Sequence, residues 1–241
     1  MMKINHLSVI YPDKTIAVDQ IDLLIPSEEN IALIGANGAG KTSLLLSLVG
    51  VVPSEGEIIV DEIRLDKHNL GEIRRRVGVV FQNPDNQLFM PTIFDDVAFG
   101  LRNYGVPENQ IEEKVDYYLN ALGILHLKHR SPLKLSGGEK RIAAIATILA
   151  MEPSIMLFDE PTAFLDPKAR RNLIVLLNQL PHTKLIASHD LSFVAEVCDR
   201  AIVLKNGKIA ADGKPSDLIY NQKLMDDCGI EAIPYPMKEK I

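Results

Sequence analysis

The strongest constraint on the fold of this chain is eight residues long. Gly35-Ala36-Asn37-Gly38-Ala39-Gly40-Lys41-Thr42, continued by Ser43, fits the pattern G-x-x-x-x-G-K-[ST]. It follows an apolar run, Ile31–Ile34, that reads as a strand. It precedes Leu44–Val49, which reads as the apolar part of a helix. The glycines let the backbone curl until several N–H groups point inward, and the helix start adds partial positive charge. The segment is therefore shaped to hold phosphate oxygens, with Lys41 placed for the β- and γ-phosphates and the Thr42 hydroxyl for Mg²⁺. A chain with this loop is committed to a strand–loop–helix unit.

The remaining sequence fits that commitment. Short β-like runs fill the first sixty residues: Met2–Ile10, Ala17–Ile25, Asn30–Ile34 and Gly56–Val60, with a further strand at Arg76–Phe81. From Asn83 to Leu135 the texture changes. Pro84, Pro91, Pro107 and Pro132 interrupt helical patterns, notably Asn109–Leu122, and this stretch is expected to be an inserted helical lobe. Then come a helix over Gly137–Met151, a strand at Ile155–Phe158, a helix over Asp166–Gln179, a strand at Lys184–Ser188 and a helix over Leu191–Val197. Ala201–Leu204 and Lys208–Ala211 flank Asn206-Gly207, a two-residue hairpin signal. Strands alternating with helices predict an α/β fold with a parallel, helix-covered sheet. The main domain is expected to span residues 1–230. The tail beyond Gly229 is polar and Pro-containing, so 231–241 is expected to pack loosely or not at all.

Composition narrows the function classes. Net charge is −6, which disfavours non-specific nucleic-acid binding. The longest apolar run, Ile142–Met151, is too short to span a bilayer, and the first residues carry no signal-peptide pattern. The sequence thus predicts a soluble chain that would reach a membrane only by docking. Cys198 and Cys228 form no metal-ligand pattern and read as reduced thiols.

Two further motifs carry chemistry. Ile155-Met156-Leu157-Phe158-Asp159-Glu160 is an apolar strand ending in two carboxylates, delivered where open α/β sheets bind ligands. Asp159 suits Mg²⁺, and Glu160 suits the water that attacks a phosphate. Leu135-Ser136-Gly137-Gly138-Glu139 contains a capping box, S-x-x-E, at the start of the Gly137–Met151 helix. The box alone leaves unexplained two consecutive glycines inside a helix, which cost about 1 kcal/mol each against Ala. Bare amides there would make a second anion-binding surface. Two copies packed head to tail would then sandwich two ATP molecules.

With these residues in place, the sequence resembles the nucleotide-binding domain of ABC transporters from about Met2 to Asp217. The resemblance implies a P-loop NTPase (RecA-like) core with an N-terminal antiparallel β-subdomain and a helical subdomain inserted at about 83–135. It implies nucleotide contacts from Tyr11 on adenine, from Gly35, Ala36, Asn37, Gly38, Ala39, Gly40, Lys41, Thr42 and Ser43, and from Ser136, Gly137, Gly138, Glu139 and Asp166. Asp166 sits where the family's dimer-crossing loop lies. The resemblance assigns Mg²⁺ to Thr42, Gln82 and Asp159, and catalysis to Lys41, Gln82, Glu160 and His189. Two residues depart from the family pattern. Glu139 stands where Gln is commonest, and Phe164 replaces a small residue in the dimer-crossing loop.

Phe81–Phe89, with Gln87 as a second glutamine, and Asp95–Gly100 resemble the ATPases of energy-coupling-factor importers, which take up cobalt, nickel or vitamins. That likeness implies a dimer of ATPase subunits, of one chain or of two related chains, on the cytoplasmic face of a membrane. An integral membrane subunit would dock on the helical lobe, with a substrate-binding membrane subunit reached indirectly. A soluble ABC-type ATPase with a non-membrane partner is the rival reading. A small-molecule kinase would leave Leu135–Glu139 unexplained.

Overall fold

Alternating apolar and polar residues build the first two strands, β1 (Met2–Ile10) and β2 (Ile16–Ile25), each with one face buried. The computed structural model describes residues 1–234. The next strand, β3 (Asn30–Ile34), leads through the glycine loop into α1 (Lys41–Ser47). There follow β4 (Glu55–Val60), β5 (Ile63–Arg64), α2 (Leu70–Arg76) and β6 (Val77–Val80). The lobe carries α3 (Ile93–Asn103) and α4 (Glu108–Ala121). The chain returns through α5 (Gly137–Leu149), β7 (Ile155–Asp159), α6 (Pro167–Gln179), β8 (Thr183–Ala187) and α7 (Leu191–Val197). It continues with the hairpin β9 (Arg200–Lys205) and β10 (Lys208–Gly213), then α8 (Pro215–Leu218) and α9 (Gln222–Asp227).

Two sheets result. One is antiparallel, in the order β2-β1-β4-β5. The other has the order β10-β9-β3-β8-β7-β6 and is parallel except for its terminal hairpin. Every residue of β7 and β8 is buried, as expected of strands covered on both faces. One apolar core lies between the two sheets and takes in α1. A second fills the other face of the parallel sheet under α5, α6 and α7. The lobe has a third core, built from Ile93, Val97, Ile111, Val115 and Leu119 against one side of α5. Among the described residues no helix is long and apolar enough to cross a membrane. Both cysteines are buried and unpaired with each other.

The P-loop core, antiparallel β-subdomain and inserted lobe are all present. The loosely packed tail is not, as far as it is described. Ile230, Ala232 and Ile233 pack against the core beside α7. Their intervening polar residues lower the average hydropathy of the segment and hide this apolar face. Residues 235–241, the rest of that expected tail, lie outside the described residues.

Candidate nucleotide site

Three strand ends meet at one edge of the parallel sheet. The Glu160 amide donates to the Ala187 carbonyl at 2.9 Å, and the Ser188 amide donates to the Leu33 carbonyl at 3.1 Å. The loops after β3, β7 and β8 are thus stapled side by side at the carboxyl edge, the usual ligand position in open α/β sheets. Gly40 shows why the first loop needs glycine. Its φ is 105°, and an added Cβ would lie 2.1 Å from the Ala17 carbonyl oxygen. Gly40→Ala is expected to leave a folded chain whose ATP affinity falls at least about tenfold, read by calorimetric titration, because the loop must move to relieve the clash.

Lys41 is buried. Its Nζ donates to the Gly35 carbonyl at 2.6 Å and the Ala36 carbonyl at 3.3 Å, and lies 3.8 Å from Glu160 Oε1. The Thr42 hydroxyl donates to Asp159 Oδ2 at 2.9 Å. Burial pushes the Asp159 carboxyl up, against the opposing Thr42 hydrogen bond and Lys41 charge. Tyr11 stands at the mouth of the loop, its hydroxyl 3.0 Å from Ser43 Oγ. Glu160 has φ 45°, a left-handed backbone that a non-glycine residue adopts at a cost of about 1–3 kcal/mol. Its Oε2 is held by the His189 amide at 3.2 Å and lies 2.8 Å from His189 Nδ1. The cradle, both carboxylates and the histidine therefore form one connected cluster.

Gln82 is carried on the loop after β6, and two residues of that neighbourhood hold it to α5. Arg141, 1% exposed, donates to the carbonyls of Phe81 and Gln82, both at 2.6 Å. Gln87 donates to the Ala144 carbonyl and to Thr147 Oγ1, each at 2.8 Å, and accepts from the Phe81 amide. Sequence reading passed over Arg141. The signal was available: it shares the buried helical stripe of Ile145 and Ile148, at spacings of four and seven.

Ser136–Glu139 forms the anticipated capping box. The Glu139 amide donates to Ser136 Oγ, and Glu139 Oε2 accepts from the Ser136 amide and hydroxyl. Those bonds hold the Glu139 carboxyl below its ordinary range. Gly138 has a packing reason that the sequence did not disclose: a Cβ there would lie 2.8 Å from Ala169 Cβ on α6. Asp166 caps α6 through the Ala169 amide at 2.8 Å. Both acidic residues thus serve as helix caps within the chain. The cradle and Ser136–Glu139 are not brought together. Gly35, Ala36 and Asn37 line one cavity with His189, whereas Ser136, Gly138 and Glu139 line another with Asp166.

A family model described as ABC transporter matches residues 18–163, more than half of the chain. The chain belongs to the ABC transporter family. It carries that family's ATPase domain. The energy-coupling factor transporter ATP-binding protein EcfA of Methanothermobacter thermautotrophicus is 44% identical over 93% of this chain and 74% of its own length. Among solved structures, cbiO1 of Clostridium perfringens, part of the ABC transporter complex cbiONQ, superposes with a TM-score of 0.82. It is 35% identical, covering 94% of this chain and 93% of its own. A dimeric ATP-binding cassette in a post-hydrolysis state, bound to ADP and Pi, matches with a TM-score of 0.79 and 27% identity, over 89% of this chain and 99% of that one.

The residues of this ABC cassette fit ATP with Mg²⁺. A Cβ on Gly38 would meet nothing within 4 Å, so the loop is open at that point. Thr42 and Asp159 offer a hydroxyl and a carboxylate, the hard oxygen donors that Mg²⁺ prefers. Among the described residues no group of three or more His, Cys, Asp or Glu side chains could hold a metal ion.

Proposed function

We propose that two cassettes close head to tail on two ATP molecules and drive an energy-coupling-factor importer of cobalt, nickel or a vitamin from the cytoplasmic face of the membrane. The observation that carries the dimer is the separation of the cradle from Ser136–Glu139 on one chain. Each half is incomplete without a second copy or a close relative. Mg²⁺, held by Thr42, Gln82 and Asp159, would neutralise phosphate charge. Lys41 exchanges its carbonyl partners for phosphate oxygens. Glu160, oriented by the His189 amide and ring, accepts the proton of the attacking water. Tyr11 stacks on adenine, and Gln82 and His189 approach the γ-phosphate. Ser136, Gly137 and Gly138 contact the nucleotide of the facing copy, with Glu139 holding the start of α5 that presents them and Asp166 capping the neighbouring α6.

The transporter reading is supported by a groove of about 210 Å³ between lobe and core, lined by Gln87, Phe89, Phe99, Tyr104, Thr147 and Met151. Phe89 is 63% exposed and packs edge-on against Phe99 at 5.2 Å between ring centroids. Such an aromatic opening suits an apolar helix end of a membrane subunit. Phe99→Glu is expected to release the chain from membranes while ATP affinity stays within about twofold, because the groove lies away from the cradle. The deciding experiment is gentle extraction of the tagged chain from its native membranes. Recovery with a polytopic scaffold and a small membrane-embedded binding protein supports the importer. Recovery with soluble partners alone removes the transport reading and leaves an ABC ATPase.

A further inference from the structure

The His189 ring is exposed and reaches Glu160 from the turn between β8 and α7, so its aim depends on how that turn is held. The next residue supplies the hold. Asp190 caps α7, its Oδ1 accepting the Phe193 amide at 2.9 Å and the Ser192 hydroxyl at 2.8 Å, and its own amide donates to Ser188 Oγ at 3.1 Å. Arg170 faces it from α6. Nε donates to Asp190 Oδ2 at 2.7 Å, and Nη2 donates to Oδ1 at 3.1 Å and to Ser192 Oγ at 2.9 Å. This is a two-pronged guanidinium–carboxylate pair, a geometry that fixes orientation as well as separation.

Docking of the two helices does not require this fork. α6 and α7 already meet in the second apolar core, to which Leu173 and Leu177 contribute from one and Phe193 and Val197 from the other. Arg170 lies near the start of α6, where a cation opposes the helix dipole. Both partners are only partly buried, and ion pairs of that kind add little to stability. We propose that Arg170 is a positioning residue for ATP hydrolysis: by gripping Asp190 it fixes the backbone from which His189 orients Glu160. Glu160 and Arg170 lie at opposite ends of the connection from β7 into α6. They hold His189 and Asp190 respectively, so the turn after β8 is gripped at two consecutive residues. A lysine would offer a single ammonium in place of the fork, and could hold Asp190 without fixing its tilt. The inference rests on the reading above of Glu160 as the base and His189 as the residue that orients it.

The test measures steady-state hydrolysis of Mg–ATP by variants of the full chain. Arg170→Met is expected to lower kcat about 10-fold with KM for ATP within about twofold of the parent, because the cradle is left intact. Arg170→Lys is expected to recover part of that loss. Arg171→Met removes a neighbouring ion pair between α6 and α7, to Glu196 at 3.4 Å, and leaves the bonds to Asp190 in place. Its kcat is expected to stay within about twofold of the parent. Equal losses in Arg170→Met and Arg171→Met would mean that docking of the helices, and not the grip on Asp190, matters for turnover, and the assignment falls. A raised KM at unchanged kcat would move the role of the pair to nucleotide binding and also overturns it. His189→Ala separates this inference from the reading beneath it. A large loss there with none in Arg170→Met overturns the positioning role alone. A kcat in His189→Ala equal to that of the parent removes His189 from the hydrolytic site, and the inference with it.

Discussion

Glu160→Gln is expected to lower ATP turnover about 10²–10⁴-fold while ATP stays bound, because the amide keeps the shape of the side chain but cannot accept a proton. The geometry adds a second, less obvious expectation. The Glu160 carboxylate lies 3.8 Å from Lys41 Nζ, so it competes for that ammonium and repels an incoming γ-phosphate. Removing its charge should tighten ATP binding. Single-turnover hydrolysis and calorimetric titration of the same variant separate the two effects. Turnover within tenfold of the parent would place the base elsewhere, and weaker ATP binding would mean that Glu160 supports the cradle instead of competing with it.

Arg141→Met carries the other large effect. The buried guanidinium makes two short hydrogen bonds to the carbonyls of Phe81 and Gln82. Charge-assisted bonds contribute about 1.5–3 kcal/mol each, so about 3–6 kcal/mol of anchoring is lost. Part of this is offset by relief of desolvation: burial already pulls the Arg141 pKa down to about 10. A net destabilisation of about 2–4 kcal/mol is the expected result, read as a lower unfolding midpoint. Loss should concentrate at the Gln82 loop, with faster amide exchange over residues 82–87 and a lower kcat at little changed ATP affinity. Unchanged stability would mean that desolvation cancels the bonds in full. Arg141→Lys keeps a charge and one donor group, so it should recover part of kcat if anchoring Gln82 is the role.

The sequence made the catalytic edge legible because each of its elements is short-range. The cradle follows directly from eight consecutive residues, and Asp159 and Glu160 from an apolar run ending in acid. The S-x-x-E box announced the start of α5 and was found there. What the sequence hid depends on distant partners. Gly138 is glycine because Ala169 lies against it, thirty-one positions later. Ile230, Ala232 and Ile233 look like tail until the face of α7 is known. Helix α2 was missed because only Ile73 of its seven residues is buried, so no apolar stripe marks it.

The separate apolar core of the lobe has a consequence for how such a chain diversifies. Ile93, Val97, Ile111 and their neighbours form their own cluster against one side of α5, with Tyr118 and Leu122 near the end of α4 also touching the second core. Substitutions on the outer faces of α3 and α4 therefore do not reach the strands that set the hydrolytic geometry. A lineage can recut that surface to suit a new scaffold while inheriting its motor unchanged. Arg141 and Gln87 mark the boundary of that freedom, since they join the two territories.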